Sequence, residues 1–361
     1  MDLPVMPPLR PMLAKSVKGV PAADSVEGGL SYEPKWDGFR CIVFRDGDEI
    51  ELASRSTKSL TRYFPEIVEA IRAETPPRCV LDGEIFLAID RRLDFDALSQ
   101  RIHPAASRVS MLSVETPASF VAFDLLALGD ESFVDEPFSQ RRAALEEALA
   151  GAGDRIHVTR TTTDAAVAQE WFGIFEGAGL DGVVAKPLAR AYAPNGRTML
   201  KIKHSRTADV VVAGYRLHKT STAERPLLGS LLLGLHAADG HLQHVGVAAS
   251  FTEVRRAELI DELAPLVVDA ADHPWGRWRE ADAQAGSRLP GGQSRWSGTK
   301  DLSFVTLAPT RVAEVGYEHM EGDRFRHTAQ FKRWRADREP ESCTYEQLEE
   351  VARYDLAQVL T

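Results

Sequence analysis

The stretch YEPKWDGFR, residues 32–40, sets one lysine, Lys35, among an acid, a proline, an Asp-Gly pair and Arg40. Its K-x-D-G core is short enough to recur by chance, so Lys35 taken alone is as readily a surface charge beside a turn as a nucleophile. Asp37-Gly38 is expected to turn tightly and expose Lys35, glycine tolerating positive φ. Residues 41–54, CIVFRDGDEIELAS, predict a hairpin, with Asp46-Gly47 as its turn and Ile50 and Leu52 alternating with acids. Further strands are predicted over 79–89, 119–128, 180–188 and 198–204. Helices fall between them: one from Pro65 with proline in its first turn, one from Ser139 as N-cap, and one after Thr163 with Val167, Trp171, Ile174 and Phe175 on a single face. This is a mixed α+β domain of antiparallel sheets with flanking helices.

Beyond Ser205 the chain reads as short strands with one helix near Thr252, a pattern that suits a small Greek-key β-barrel of the OB type. Two domains are therefore expected, 1–205 and 206–361, a division that 361 residues readily support. The aperiodic stretch 272–300 is expected to be a long loop. Its Trp275, Trp278 and Trp296, interleaved with Arg277, Arg279 and Arg295, offer either a mobile surface or stacking and charge for a nucleic acid.

Hydrophobic residues make up 44% and charged residues 27%, and no run approaches the ~18 apolar residues of a membrane span. The start has an acid and four prolines within eleven residues, not a basic segment followed by an apolar one. No secretory signal is expected, and the chain is placed in the cytoplasm. Cys41, Cys79 and Cys343 are odd in number and far apart, which argues against a disulfide framework and a four-cysteine zinc site. All three are expected to be small buried or half-buried side chains.

A net charge of −10 argues, as an average, against a polyanionic partner, but two clusters oppose it. Lys186, Arg190, Arg197, Lys201, Lys203 and Arg206 occupy a stretch without Asp or Glu, and Arg324, Arg326, Lys332, Arg333, Arg335 and Arg338 share theirs with Asp337 alone. Either cluster could be a solvated face; two of them in an acidic chain favour a polyanion.

Two patterns are set aside. GAGLDG, residues 177–182, matches G-x-G-x-x-G but follows a helix and precedes a strand, the reverse of a dinucleotide-binding context, so Gly177 and Gly179 read as helix-ending residues. His241 and His244 read as an exposed hairpin, not a metal site.

The remaining signals come in a fixed order: Lys35 and Arg40, then SRS with Arg55, LDGEIF with Glu84, FVAFDLL with Phe123 and Asp124, DGVVAK with Asp181 and Lys186, LKIK with Lys201 and Lys203, and FKRWRAD with Arg333, Arg335 and Asp337. In this order the chain resembles the covalent nucleotidyltransferases, the superfamily of ATP-dependent DNA ligases, RNA ligases and mRNA capping enzymes. Its length and proline-rich start are most similar to the short actinobacterial ligases of the ligase C type. It departs from the family in Asp181, where ligases commonly carry Glu, and in Arg338, where the last motif commonly ends in Lys.

The resemblance implies an adenylyltransferase domain followed by an OB domain, and an ATP-dependent ligase sealing 5′-phosphate/3′-hydroxyl nicks in duplex DNA. Lys35 would attack the α-phosphorus of ATP, with Lys201 and Lys203, two apart on one strand, facing the phosphates. A lysine attacks only when neutral, and neighbouring cations are expected to lower its pKa. Glu33 would lie near the base, Phe123 would stack on it, and Arg40, Arg55 and Lys186 would complete the nucleotide site. Glu84 and Asp181, hard oxygen ligands, would hold Mg2+ or Mn2+. Asp124 is left structural. Arg333, Arg335 and Asp337 would orient the leaving pyrophosphate when the OB domain closes about a hinge near Ser205-Arg206. Arg190, Arg197, Arg206, Arg324 and Arg326 are the candidate DNA contacts. The resemblance further implies a monomeric repair ligase, nucleoid-associated during repair, working with a small primase-polymerase and an end-binding protein. An RNA ligase or capping-type guanylyltransferase shares the lysine chemistry. A non-catalytic OB-domain nucleic-acid-binding protein is disfavoured because Lys35, Glu84, Lys201 and Lys203 occur together.

Overall fold

The computed structural model describes residues 1–103, 105–153, 155–276, 303–348 and 351–360. The chain forms two compact units, Met1–Lys203 together with Val351–Thr361, and His204–Glu350. Strands of the first unit are β1 (Ala14–Ser16), β2 (Leu30–Lys35), β3 (Phe39–Asp46), β4 (Glu49–Ser54), β5 (Arg78–Phe86), β6 (Ser119–Leu128), β7 (Ile156–Val158), β8 (Gly182–Pro187) and β9 (Met199–Lys203). They make two sheets, one ordered β1-β9-β8-β2, the other β7-β6-β5-β3-β4 with the short strand Glu131–Ser132 on β6. All pairings are antiparallel except β1 with β9 and β7 with β6.

Period-two alternation explains how the larger sheet is buried on both faces. Cys41 and Val43 of β3 pack with Cys79, Leu81 and the helix Pro65–Glu74, while Ile42 and Phe44 face the other way, into a core with Val80, Leu126, Tyr192 and Met199. The smaller sheet turns Val183, Ala185 and Ile202 into a third core, shared with Ala168 and Trp171 of the helix Ala165–Ile174.

The eleven C-terminal residues correct the expected boundary, because they belong to the first unit and not to the second domain. Leu356 and Val359 are buried in the third core, Tyr354 lies 5.4 Å from Phe175, and Asp355 pairs with Arg91 at 2.7 Å. Gly179 ends its helix at φ +88°, as expected, but Gly177 serves the tail: a Cβ would stand 2.1 Å from the carbonyl oxygen of Ala352. The helix expected to be capped by Ser139 begins at Phe138, behind Pro137. Its first N–H groups are satisfied by the carbonyls of Arg190 and Leu188 instead of a side chain.

The second unit is a five-stranded antiparallel sheet of β10 (Arg206–Leu217), β11 (Leu228–His236), β12 (Leu242–Ala248), β13 (Val305–Tyr317) and β14 (Gln330–Trp334), ordered β12-β11-β10-β13-β14. Thr252 caps the helix Glu253–Leu263 by accepting from the Arg255 N–H. An isolated parallel bridge, Ala248 to Ala329, links the ends of the two edge strands, so the sheet curls without a full closing ladder among the described residues. Trp275 is corrected from a nucleic-acid contact to a core residue: it is fully buried and its Nε1 donates to the Leu242 carbonyl at 2.7 Å. Trp278, Trp296, Arg277, Arg279 and Arg295 lie outside the described residues. His241 is exposed, whereas His244 is buried against Trp275, 5.5 Å between ring centroids, which corrects the reading of both as an exposed hairpin. Among the described residues no helix is long and apolar enough to cross a membrane.

Candidate active site

Register builds the site. Lys35 at the end of β2 pairs with Gly182 of β8, and Gly182 pairs with Lys203 of β9, so the two lysines flank one glycine. Gly182 has φ +135°, and a Cβ there would sit 2.1 Å from the carbonyl oxygen of Ile202. Only glycine fits. The preceding Asp181, buried, accepts from Lys35 Nζ at 2.6 Å on Oδ2, and Lys203 Nζ lies 3.1 Å from the same oxygen. Lys201, two residues back, is half-buried, while Ile202 is buried behind it.

Burial pulls the Lys35 pKa down, but Asp181, then Glu84 and Asp37, outweigh it and hold the amine above its ordinary value. Among the chain's own groups, acids outweigh the cations expected to depress it. Gly38 also has a reason other than the expected one. It is not at positive φ, but a Cβ would meet the Ile85 carbonyl oxygen at 2.1 Å, so the turn is pressed against β5.

Arg40 of β3 sits opposite Glu84 of β5. Its Nε and Nη2 each donate to Asp82 at 2.6 Å, and its guanidinium lies 4.4 Å from the centre of the Phe123 ring. Phe123 owes its orientation to a bulge. Asp82 pairs with Asp124 and Gly83 with Ala122, leaving Phe123 as the extra residue of β6. Lys186 is buried and braces the same ring, donating to the Phe123 carbonyl at 3.0 Å and pairing with Glu33 at 2.9 Å. Burial pushes the Glu33 carboxyl up despite Lys186. Lys186 therefore ties Glu33 to Phe123. Asp124 is structural as expected, paired with buried Arg141 at 2.7 Å.

The Glu84 carboxylate makes no hydrogen bond or ion pair among the described residues, and desolvation pushes its pKa up to about 7 against the fields of Arg40 and Lys35. A half-buried carboxylate with unspent acceptors, which like Asp181 acts on the Lys35 amine, suits a hard divalent cation in donor chemistry. Arg55 stands exposed on the turn after β4.

Arg190 and Arg197 are exposed on the loop 188–198. In the second unit, Arg206 donates to the Glu318 carbonyl at 3.0 Å, Arg326 lies 3.4 Å from Glu321, and Arg324 is half-buried on the strand Arg324–Phe325. Arg333 pairs with Glu314 at 2.7 Å, and Arg335 with Asp209 at 3.0 Å and Asp337 at 2.8 Å. The hydrogen bonds from Arg335 pull Asp337 down to about 2. Two participants were missed in the sequence: Asp82, which stood in a quoted motif without a role, and Tyr192, whose hydroxyl reaches Asp82 across 110 residues and leaves no local signal.

A lysine paired with a buried acid on a glycine-spaced strand edge, an aromatic ring flanked by cations and nearby carboxylates make an arrangement that suits a nucleotidyltransferase. Residues 11–203 match the family model described as ATP dependent DNA ligase domain, and residues 224–338 match ATP dependent DNA ligase C terminal region. The chain belongs to the ATP-dependent DNA ligases. It is 58% identical to DNA ligase C of Mycobacterium tuberculosis over 366 aligned positions, covering 100% of this chain and 99% of the relative. It is likewise 58% identical to DNA ligase C2 of Mycolicibacterium smegmatis, covering 97% and 96%. In structure it is similar to a Lig E DNA ligase, with 17% identity, TM-score 0.55, and coverage of 90% of this chain and 99% of the other, a likeness of fold.

Proposed function

We propose that Lys35 is the adenylylated nucleophile and that the chain seals 5′-phosphate/3′-hydroxyl nicks in duplex DNA during repair. The observation that carries this is the sharing of one Asp181 oxygen by Lys35 and Lys203. Lys35 must lose a proton to attack, and its partner acid opposes that loss. Shifting the Asp181 ion pair to Lys203 releases the Lys35 amine, which then loses its proton to solvent.

The Nζ–P bond to the α-phosphorus forms as the bond to the pyrophosphate oxygen breaks, with pyrophosphate as leaving group. The 5′-phosphate of the nick then attacks the same phosphorus, the N–P bond breaks and Lys35 takes up a proton. Finally the 3′-hydroxyl attacks the 5′-phosphorus, its proton is lost, and AMP leaves. Positioning supplies most of the catalysis in such phosphorus chemistry. Glu33, Arg40 and Phe123, braced by Lys186, form the nucleotide pocket, with Arg55 at its margin and Lys201 and Lys203 toward the phosphates. Glu84 and Asp181 would hold Mg2+, or Mn2+ in its place, which when bound supplies charge neutralisation at the phosphates. Arg333 and Arg335 act on the pyrophosphate only after leaving Glu314 and Asp209. Arg190 and Arg197, exposed and without an acid in their stretch of sequence, would contact the DNA backbone, with Arg206, Arg324 and Arg326 secondary. A primase-polymerase and an end-binding protein are the proposed partners, and the nucleoid the proposed place of work.

The test is intact mass after incubation with ATP and Mg2+. An added AMP that disappears in Lys35→Ala supports the assignment, and an adduct that persists in that variant overturns it. Labelling with GTP in place of ATP would instead favour a capping-type enzyme.

A further inference from the structure

We infer that Tyr192 is a positioning residue for the nucleotide site: its hydroxyl orients the Asp82 carboxylate, which in turn fixes the guanidinium of Arg40 beside Phe123. The inference rests on the reading of Arg40 as a nucleotide contact and extends it to a residue that touches no nucleotide.

The geometry is a relay of three side chains. Tyr192 is 4% exposed and its hydroxyl donates to Asp82 Oδ2 at 2.7 Å. Asp82 is fully buried, and its two oxygens take three donors: Arg40 Nε on Oδ1, and Arg40 Nη2 and the Tyr192 hydroxyl on Oδ2. Because one oxygen serves both partners, the phenol sets the rotation of the carboxylate. The two parallel Arg40 bonds carry that rotation into the plane of the guanidinium. Arg40 spends only two of its five N–H groups this way and keeps a 20% exposed side chain, so donors remain for a ligand.

Tyr192 is itself held. It lies on the loop 188–198, which is neither helix nor strand but is tied at several points: Tyr192 N–H to the Val134 carbonyl at 2.9 Å, Asn195 N–H to Pro11 at 3.2 Å, and Leu13 N–H to Gly196 at 2.8 Å. The Met12 N–H donates to the Tyr192 hydroxyl at 3.3 Å. Burial, reinforced by Asp82, pushes the phenol pKa far above its usual value, so the group remains a donor at any working pH. A residue needed only for packing would not require this hydroxyl, since phenylalanine fills the same volume.

The experiment follows lysyl-AMP formation by the full chain against ATP concentration in wild type, Tyr192→Phe, Arg40→Lys and the double variant. Tyr192→Phe is expected to raise the apparent KM for ATP about three- to tenfold with the maximal rate little changed, less than the full effect of a lost hydrogen bond to a charged group because Arg40 still holds Asp82. In the Arg40→Lys background the same change is expected to add little, because the relay is already broken. Equal effects of Tyr192→Phe in both backgrounds, or an unchanged KM in the single variant while Arg40→Lys raises it, would overturn the inference. An unchanged KM in Arg40→Lys would instead remove the reading of Arg40 on which the inference stands. If Tyr192→Phe does not fold, a fluorotyrosine at position 192, which keeps the volume and alters only the donor strength of the hydroxyl, takes its place in the cycle and is expected to shift KM in the wild-type background alone.

Discussion

Lys35 and Asp181 lie 146 residues apart in sequence and 2.6 Å apart in the folded chain, with side chains 21% and 3% exposed. The contact stabilises the charged amine, so the ground state opposes the chemistry proposed for Lys35. In linkage terms the raised amine pKa contributes stability below its unfolded value, and that contribution is lost as pH rises through the folded value.

The rate of self-adenylylation at saturating ATP should therefore climb toward alkaline pH. Asp181→Asn should move that climb to lower pH, because the acid that holds the amine charged is gone. Rates of AMP incorporation measured by mass spectrometry across the pH range decide it; superimposable profiles would show that Asp181 does not hold the proton.

Glycine is required at 182 by space and by φ together. Gly182→Ala should destabilise the first unit by roughly 3 kcal/mol or more, since the new methyl meets the Ile202 carbonyl and the backbone must leave positive φ. Gly47→Ala, at φ +62° on the hairpin turn with nothing within 4 Å, should cost only about 1 kcal/mol. Denaturant melts of the two variants give the comparison, and similar losses would contradict it.

The C-terminal tail should be a structural part of the first unit. Truncation before Val351 uncovers the surface that Leu356 and Val359 close, and at about 1.5–3 kcal/mol per buried aliphatic side chain the loss should be several kcal/mol. Gly177→Ala should loosen the tail without removing it, and limited proteolysis should then cut near residue 351 faster than in wild type. An unchanged melting temperature after truncation would mean that the tail adds nothing to the unit.

His244 gives the second unit an acid sensitivity. Desolvation, with Arg324 and Arg216 nearby, holds its pKa well below the ordinary value. The unfolded chain thus takes up a proton that the folded chain refuses, and stability should fall as pH drops below about 6.5. His244→Phe should flatten this slope, as followed by melts between pH 7.5 and pH 5 on buffered samples. The same slope in the variant would assign the acid sensitivity to other groups.

Strand periodicity, the Asp46-Gly47 hairpin signal and the order of the charged motifs were legible along the chain because each depends on neighbours in sequence. Residue types also supplied the groups that the proposed chemistry needs: a lysine, cations on alternate positions of β9, hard oxygen donors. Which groups meet was not legible. The sharing of Asp181 by Lys35 and Lys203, the bulge that turns Phe123, the burial of Lys186 behind it and the reach of Tyr192 to Asp82 all arise from pairing between distant strands. So does the return of the C-terminal tail to Gly177. Local sequence specifies the period and the charge of an element; register and close approach are set by the packing of several elements at once, and the protonation of Lys35 follows from that packing.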